Sequence, residues 1–165
     1  MSLTTTIRSS IAGEYIRSVG GRPIVDDIPP SQDLLLASGT GAGAADIAFS
    51  DHRTLASATS ENLDLSGSLT DAFGQLIAAV HVKAIEIHAD EANTTNLTVG
   101  ASGANAFQGP FADVTDGLVI KPGGRLVIAD PVGWPVVAAT GDILKVANAA
   151  GAAASYTVKI IAASA

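Results

Sequence analysis

Three histidines, His52, His81 and His88, are the side chains of this sequence most able to bind a metal or move a proton near neutral pH. His81 and His88 flank an extended run. At about 3.3 Å per residue they stand roughly 20 Å apart, too far to share one ion, and Lys83 lies between them. His52 follows Asp51 at what reads as a loop-to-strand junction, so it has a carboxylate neighbour and lacks only a nucleophile. No Gly-x-Ser-x-Gly elbow supplies one. The acidic pairs Asp26-Asp27, Asp90-Glu91 and Asp113 with Asp116 lack the alternating oxygen ligands and distal glutamate of a calcium loop, and read as solvated turns. Asp113–Asp116 is the one of the three that leaves a weak Ca²⁺ site open. Sugar-cleaving carboxylate pairs usually sit among exposed aromatic platforms, and one Trp and two Tyr leave little to build them. The glycine-rich run Ser38–Ala44 lacks the Gly-Lys-Ser/Thr ending of a phosphate loop, and no lysine precedes Lys83. With no cysteine there is neither a thiolate ligand nor a disulfide framework. The chain reads as a non-enzyme with no metal or cofactor.

The element that would position these groups is Ile77–Ala89 (IAAVHVKAIEIHA). Val80 and Val82 alternate with His81 and Lys83; Ile85 and Ile87 alternate with Glu86 and His88. The two runs are one residue out of step, so an unbroken strand would expose Ile85 and Ile87. A β-bulge near Ala84 restores one apolar face and predicts a long, bent central strand.

Around it the sequence predicts short strands separated by turns. Leu34–Ala37, Arg53–Ala56 and Asn62–Ser66 precede the central strand, with Leu63 and Leu65 inward. Ser68–Gly74 resembles one helical turn. After it come Asn96–Gly100, a hairpin of Leu118–Ile120 and Arg125–Ala129 about Lys121-Pro122-Gly123-Gly124, then Val136–Ala138, Asp142–Val146 and Ser155–Ile161. In the last of these Tyr156, Val158 and Ile160 share one face. Phe107 and Phe111, in the loop Ala101–Asp116, are suited to plugging one end. The fold class predicted is all-β: an antiparallel β-sandwich over residues 34–165 with an arm or extension over residues 1–33.

The arm is the least regular part. Ile7, Ile11, Tyr15 and Val19 recur at the spacing of a helix, while Thr4–Ile7 and Glu14–Ile16 suit a strand, and both readings stay open. Gly20–Pro30 is rich in Gly, Pro and Asp and reads as irregular.

Composition limits the partners. Hydrophobic residues make up 47% of the 165, but aromatics only 4% and charged residues 15%, with a mean hydropathy of +0.37. The core must be aliphatic and thin, and the surplus apolar surface favours a homo-oligomer or docking on a larger assembly. A net charge of −7 with scattered basic residues disfavours direct contact with nucleic acid. No run is long enough for a membrane helix, and MSLTTTIRSS lacks the pattern of a signal peptide, so a cytosolic origin is expected. The Asn93-Thr94-Thr95 and Asn96-Leu97-Thr98 triplets are then turn chemistry rather than glycan acceptors.

The ordered motifs LASGTGAGAAD (36–46), DHRTLA (51–56), ENLDLSG (61–67), LTDAFG (69–74), VKAIEI (82–87), KPGGRLVIADP (121–131) and GDILKVAN (141–148) resemble the small virion structural proteins of tailed bacteriophages and prophages. The resemblance spans about four-fifths of the chain and rests on motif order. It implies a jelly-roll-like sandwich that decorates or cements a capsid, binding the major capsid protein, and so a virion location after synthesis in the bacterial cytoplasm. Its alternative is a tail or spike module that binds host-surface glycan. Residues 1–33 lie outside the resemblance; as an arm they would lace onto the capsid through Ile7, Ile11, Tyr15 and Ile16.

Overall fold

A computed structural model describes residues 2–165. It contains thirteen strands: β1 (Thr5–Ile7), β2 (Gly13–Val19), β3 (Arg22–Ile28), β4 (Leu34–Ser38), β5 (Ala44–Ala45), β6 (Ile47–Leu55), β7 (Ser60–Asp64), β8 (His81–Ala89), β9 (Leu97–Gly100), β10 (Gly117–Ile120), β11 (Arg125–Pro135), β12 (Ile143–Asn148) and β13 (Ala154–Ala163). No helix forms among the described residues, so Ser68–Gly74 is not helical. Asp71 there accepts the Phe73 and Gln75 amides and folds the segment into a turn closed by the Thr70–Leu76 bridge.

Two four-stranded antiparallel sheets, β11-β8-β13-β6 and β10-β9-β12-β7, make the β-sandwich. Their facing side chains form one aliphatic core in which Leu63, Leu65, Val82, Ile85, Ile87, Leu97, Val99, Leu144, Val146, Val158 and Ile160 are buried. Strand β13 buries Tyr156, Val158 and Ile160 on one face, as its period of two predicts, and buried and open positions alternate along β12 as well. Phe107 is buried and Phe111 half-buried against the same core.

The central strand carries the expected bulge. Ile161 opposes Ala84 and Ala162 opposes Val82, so Lys83 is the extra residue, and Ile85, Ile87 and Ala89 return to the core face. Lys83 does not point to water. It is 1% exposed, and its ammonium donates to the carbonyl of Val132 at 2.5 Å, with that of Pro131 at 3.5 Å. Opposite it β11 bulges as well, with Ala129 facing Ala84 but Trp134 facing Val82, so Asp130–Gly133 forms the wall around the lysine.

The expected hairpin of Leu118–Ile120 with Arg125–Ala129 does not form. β10 pairs with β9 and β11 with β8, so the Lys121–Gly124 turn carries the chain from one sheet to the other.

Residues 2–33 divide in two. β1 pairs with β4 in a small sheet, β1-β4-β5, whose β4 and β5 touch β11 and β13 of the larger sheet. Between β1 and β4, β2 and β3 form a separate two-stranded hairpin, so Arg22–Ile28 is regular where the sequence suggested otherwise. Gly20 and Gly21, at φ +59° and +79°, are its two-residue turn, and positive φ at both positions is what such a turn requires. The base is pinched shut: Ser31 N donates to Ser10 Oγ at 3.0 Å, and Arg8 Nε pairs with Asp33 at 2.9 Å.

Candidate interaction surface

Every residue of β2 and β3 is exposed. Ile11, Tyr15, Ile16, Val19, Ile24, Val25 and Ile28 are 51–84% open, the densest run of exposed apolar side chains in the chain. A two-stranded ribbon with water on both faces is marginal by itself.

Of the expected anchors, the structure brings Ile11, Tyr15 and Ile16 together in or beside the hairpin and sets Ile7 apart. Ile7 is half-buried opposite Leu34, and it lines a cavity of about 240 Å³ with Thr5, Ala84, Glu86, Val127 and Ile161. It fastens the arm to the body. Val19, Ile24, Val25 and Ile28 were missed in the sequence reading. A Gly-Gly pair between two β-prone runs was the available signal, obscured by Pro23 and the two aspartates.

All three histidines lie on strands of the β11-β8-β13-β6 sheet, His52 on β6 and His81 and His88 on β8. His52 lies within β6, not at a junction, and its Nε2 is 3.0 Å from Asp90 Oδ2. Pairing across β6, β13, β8 and β11 lines up His52, Thr157, His88 and Arg125 on the outer sheet face, beside the row of Lys159 and Glu86. Lys159 and Arg125 approach Glu86 at 3.2 and 3.8 Å. Among the described residues no three His, Asp or Glu side chains converge as metal ligands. At Asp113 and Asp116 the carboxylates are taken up by their own turn: Asp113 Oδ1 accepts the amide and hydroxyl of Thr115, and Asp116 Oδ2 accepts the Asp113 amide. The Thr115 donors hold the Asp113 carboxyl below the usual carboxylate range.

One ionic network is internal. Arg53 Nη1 donates to Glu61 at 2.6 Å, and Tyr156 donates its hydroxyl to the other Glu61 oxygen at 2.7 Å, joining β6 and β13 of one sheet to β7 of the other. Arg53 Nε lies 3.1 Å from Asp51 but is poorly aligned for a hydrogen bond. Burial opposes the charge on Arg53, and the two carboxylates more than offset it, so its pKa rises. Burial first, then the bond to Glu61, pushes the Tyr156 hydroxyl far above its ordinary range.

The Asn93 side chain ties its loop to Ser155 on β13. Its amide donates to the Ser155 carbonyl and accepts the Ser155 N–H, both at 2.8 Å. No helix of the described residues is long and apolar enough to cross a membrane. No protein-family model, curated protein or solved structure matches the chain.

Proposed function

We propose that this chain is a structural protein of a tailed-phage virion, a decoration or cement protein that stabilises the head by binding across neighbouring subunits of the major capsid protein. The observation that carries the reading is the exposed apolar hairpin on a sandwich body, an arrangement suited to assembly. Two further features support it. The strand orders β6-β13-β8-β11 and β7-β12-β9-β10 are those that a double Greek key would give, which supports reading the sandwich as a jelly roll, an architecture used in capsid proteins. The net charge of −7 keeps the chain off packaged DNA. On this reading it acts without catalysis, cofactor or membrane contact. It works as an oligomer on the virion, and each bound copy favours the assembled shell by mass action.

A tail or spike module that binds host glycan is the second reading. It is favoured by a cavity of about 490 Å³ whose lining includes Asn105, Gln108 and Thr140 as hydroxyl partners beside Phe111.

The test is to add purified protein to particles lacking it. Saturable binding with a higher temperature of DNA release supports decoration. Binding to host surface polysaccharide, with none to the head, replaces it with the second reading.

A further inference from the structure

The β2–β3 hairpin has one protected edge and one open edge. On β3, Pro23 lacks an N–H and Asp26 and Asp27 place adjacent carboxylates, the devices by which edge strands resist pairing. β2, GEYIRSV, carries no proline and offers a regular edge.

We propose that β2 pairs antiparallel with β2 of a second copy of this chain about a two-fold axis at Ile16, joining two hairpins into one sheet in the order β3-β2-β2-β3. The proposal deepens the assembly reading of the hairpin and rests on it; it does not depend on what the assembly decorates.

Register carries the argument. The two-residue turn makes Val19 and Arg22 a hydrogen-bonded pair, and alternate pairs follow down the ladder. The N–H and C=O groups of Glu14, Ile16 and Ser18 therefore face the open edge. Centring the axis on Ile16 overlaps all of β2 with its copy and sets Ile16 opposite Ile16 and Glu14 opposite Ser18, so these outward groups meet one another.

The same register matches the side chains. Ile16 lies beside Val25 within the hairpin, so one face gains an unbroken row Val25–Ile16–Ile16–Val25 across both copies. On the other face Arg17 falls opposite Tyr15 of the second copy, whose own neighbour is Asp26. A guanidinium beside a tyrosine ring and one strand from a carboxylate is favourable. The cations Arg17 and Arg22 sit towards the tip and Glu14, Asp26 and Asp27 towards the base. A head-to-tail two-fold thus lays each cationic half on the other's acidic half. Shifting the axis to Arg17 would place two guanidinium groups face to face.

The absence of native cysteine makes the test direct. In this register the two Ile16 Cα atoms are about 5.5 Å apart, within disulfide range, and the two Val25 Cα atoms roughly 14 Å apart. The full chain carrying Ile16→Cys should form a covalent dimer under mild oxidation at about 1 mM chain, a concentration that populates even a contact with a dissociation constant of that order. Val25→Cys should stay monomeric, and both variants should keep the circular dichroism of the parent. The proposal is overturned if Ile16→Cys remains monomeric, or if Val25→Cys cross-links as fast, which would mean stacked faces rather than joined edges. Neither measurement involves capsids, so loss of head binding by a chain that still cross-links at position 16 would count against the decoration reading alone.

Discussion

Tyr156 is the residue whose chemistry the fold alters most. Its folded pKa is raised by burial and by Glu61, so the native state holds the phenolic proton where the unfolded chain releases it. The stabilising contribution is complete below the ordinary tyrosine pKa of about 10 and declines as pH rises beyond it. Urea unfolding across this window should show a fall in stability that Tyr156→Phe makes shallower by about one proton; equal slopes would contradict the assignment. Asn148 is the second such residue. Its amide donates to the carbonyls of Leu55, Ala56 and Ala152, and its oxygen accepts the Thr95 hydroxyl. Asn148→Ala leaves buried groups unpaired and should cost about 2–3 kcal/mol by chemical denaturation.

At the scale of elements, the paired bulges of β8 and β11 depend on one close approach. A Cβ at Gly133, where φ is +87°, would lie 2.7 Å from Lys83 Cδ and 2.9 Å from the Val82 carbonyl oxygen. Gly133→Ala should therefore destabilise the fold by about 1–3 kcal/mol in the same assay. The hairpin should behave in the opposite way. Excising Ile11–Pro30 and joining Ser10 to Ser31, already in hydrogen-bond contact, removes only exposed residues, and the midpoint of unfolding should move by less than about 0.5 kcal/mol equivalent. A large loss would show that the hairpin supports the body.

Elements also show how far sequence reasoning reached. β13 and the bulge of β8 were legible because burial on one face writes a period of two and a bulge breaks its phase. The β10–β11 connection was not, since Lys121–Gly124 turns the chain equally well whether the next strand joins the same sheet or the facing one. Lys83 was read as outward because the carbonyls that receive it come from Pro131 and Val132, a contact no local pattern encodes. The His52–Asp90 pair was hidden for the same reason, being 38 residues apart in sequence. In the hairpin, Pro23 and two aspartates obscured the two β-prone runs on either side of the Gly-Gly turn.

For the molecule as a whole, the division of labour follows from where apolar surface is placed. The body closes its thin aliphatic core between two sheets, pairs β1 with β4, and leaves the hairpin uncovered. Hydrophobic burial that is absent from the monomer is available to an assembly. A cement protein gains from this arrangement because weak contacts repeated across a shell add up through effective concentration. The most direct measurement is the copy number of this chain in purified virions, from quantitative gel densitometry against the major capsid protein. The account predicts a number that scales with the capsid subunits of the shell; a fixed handful per particle, as at a tail or spike, would contradict it.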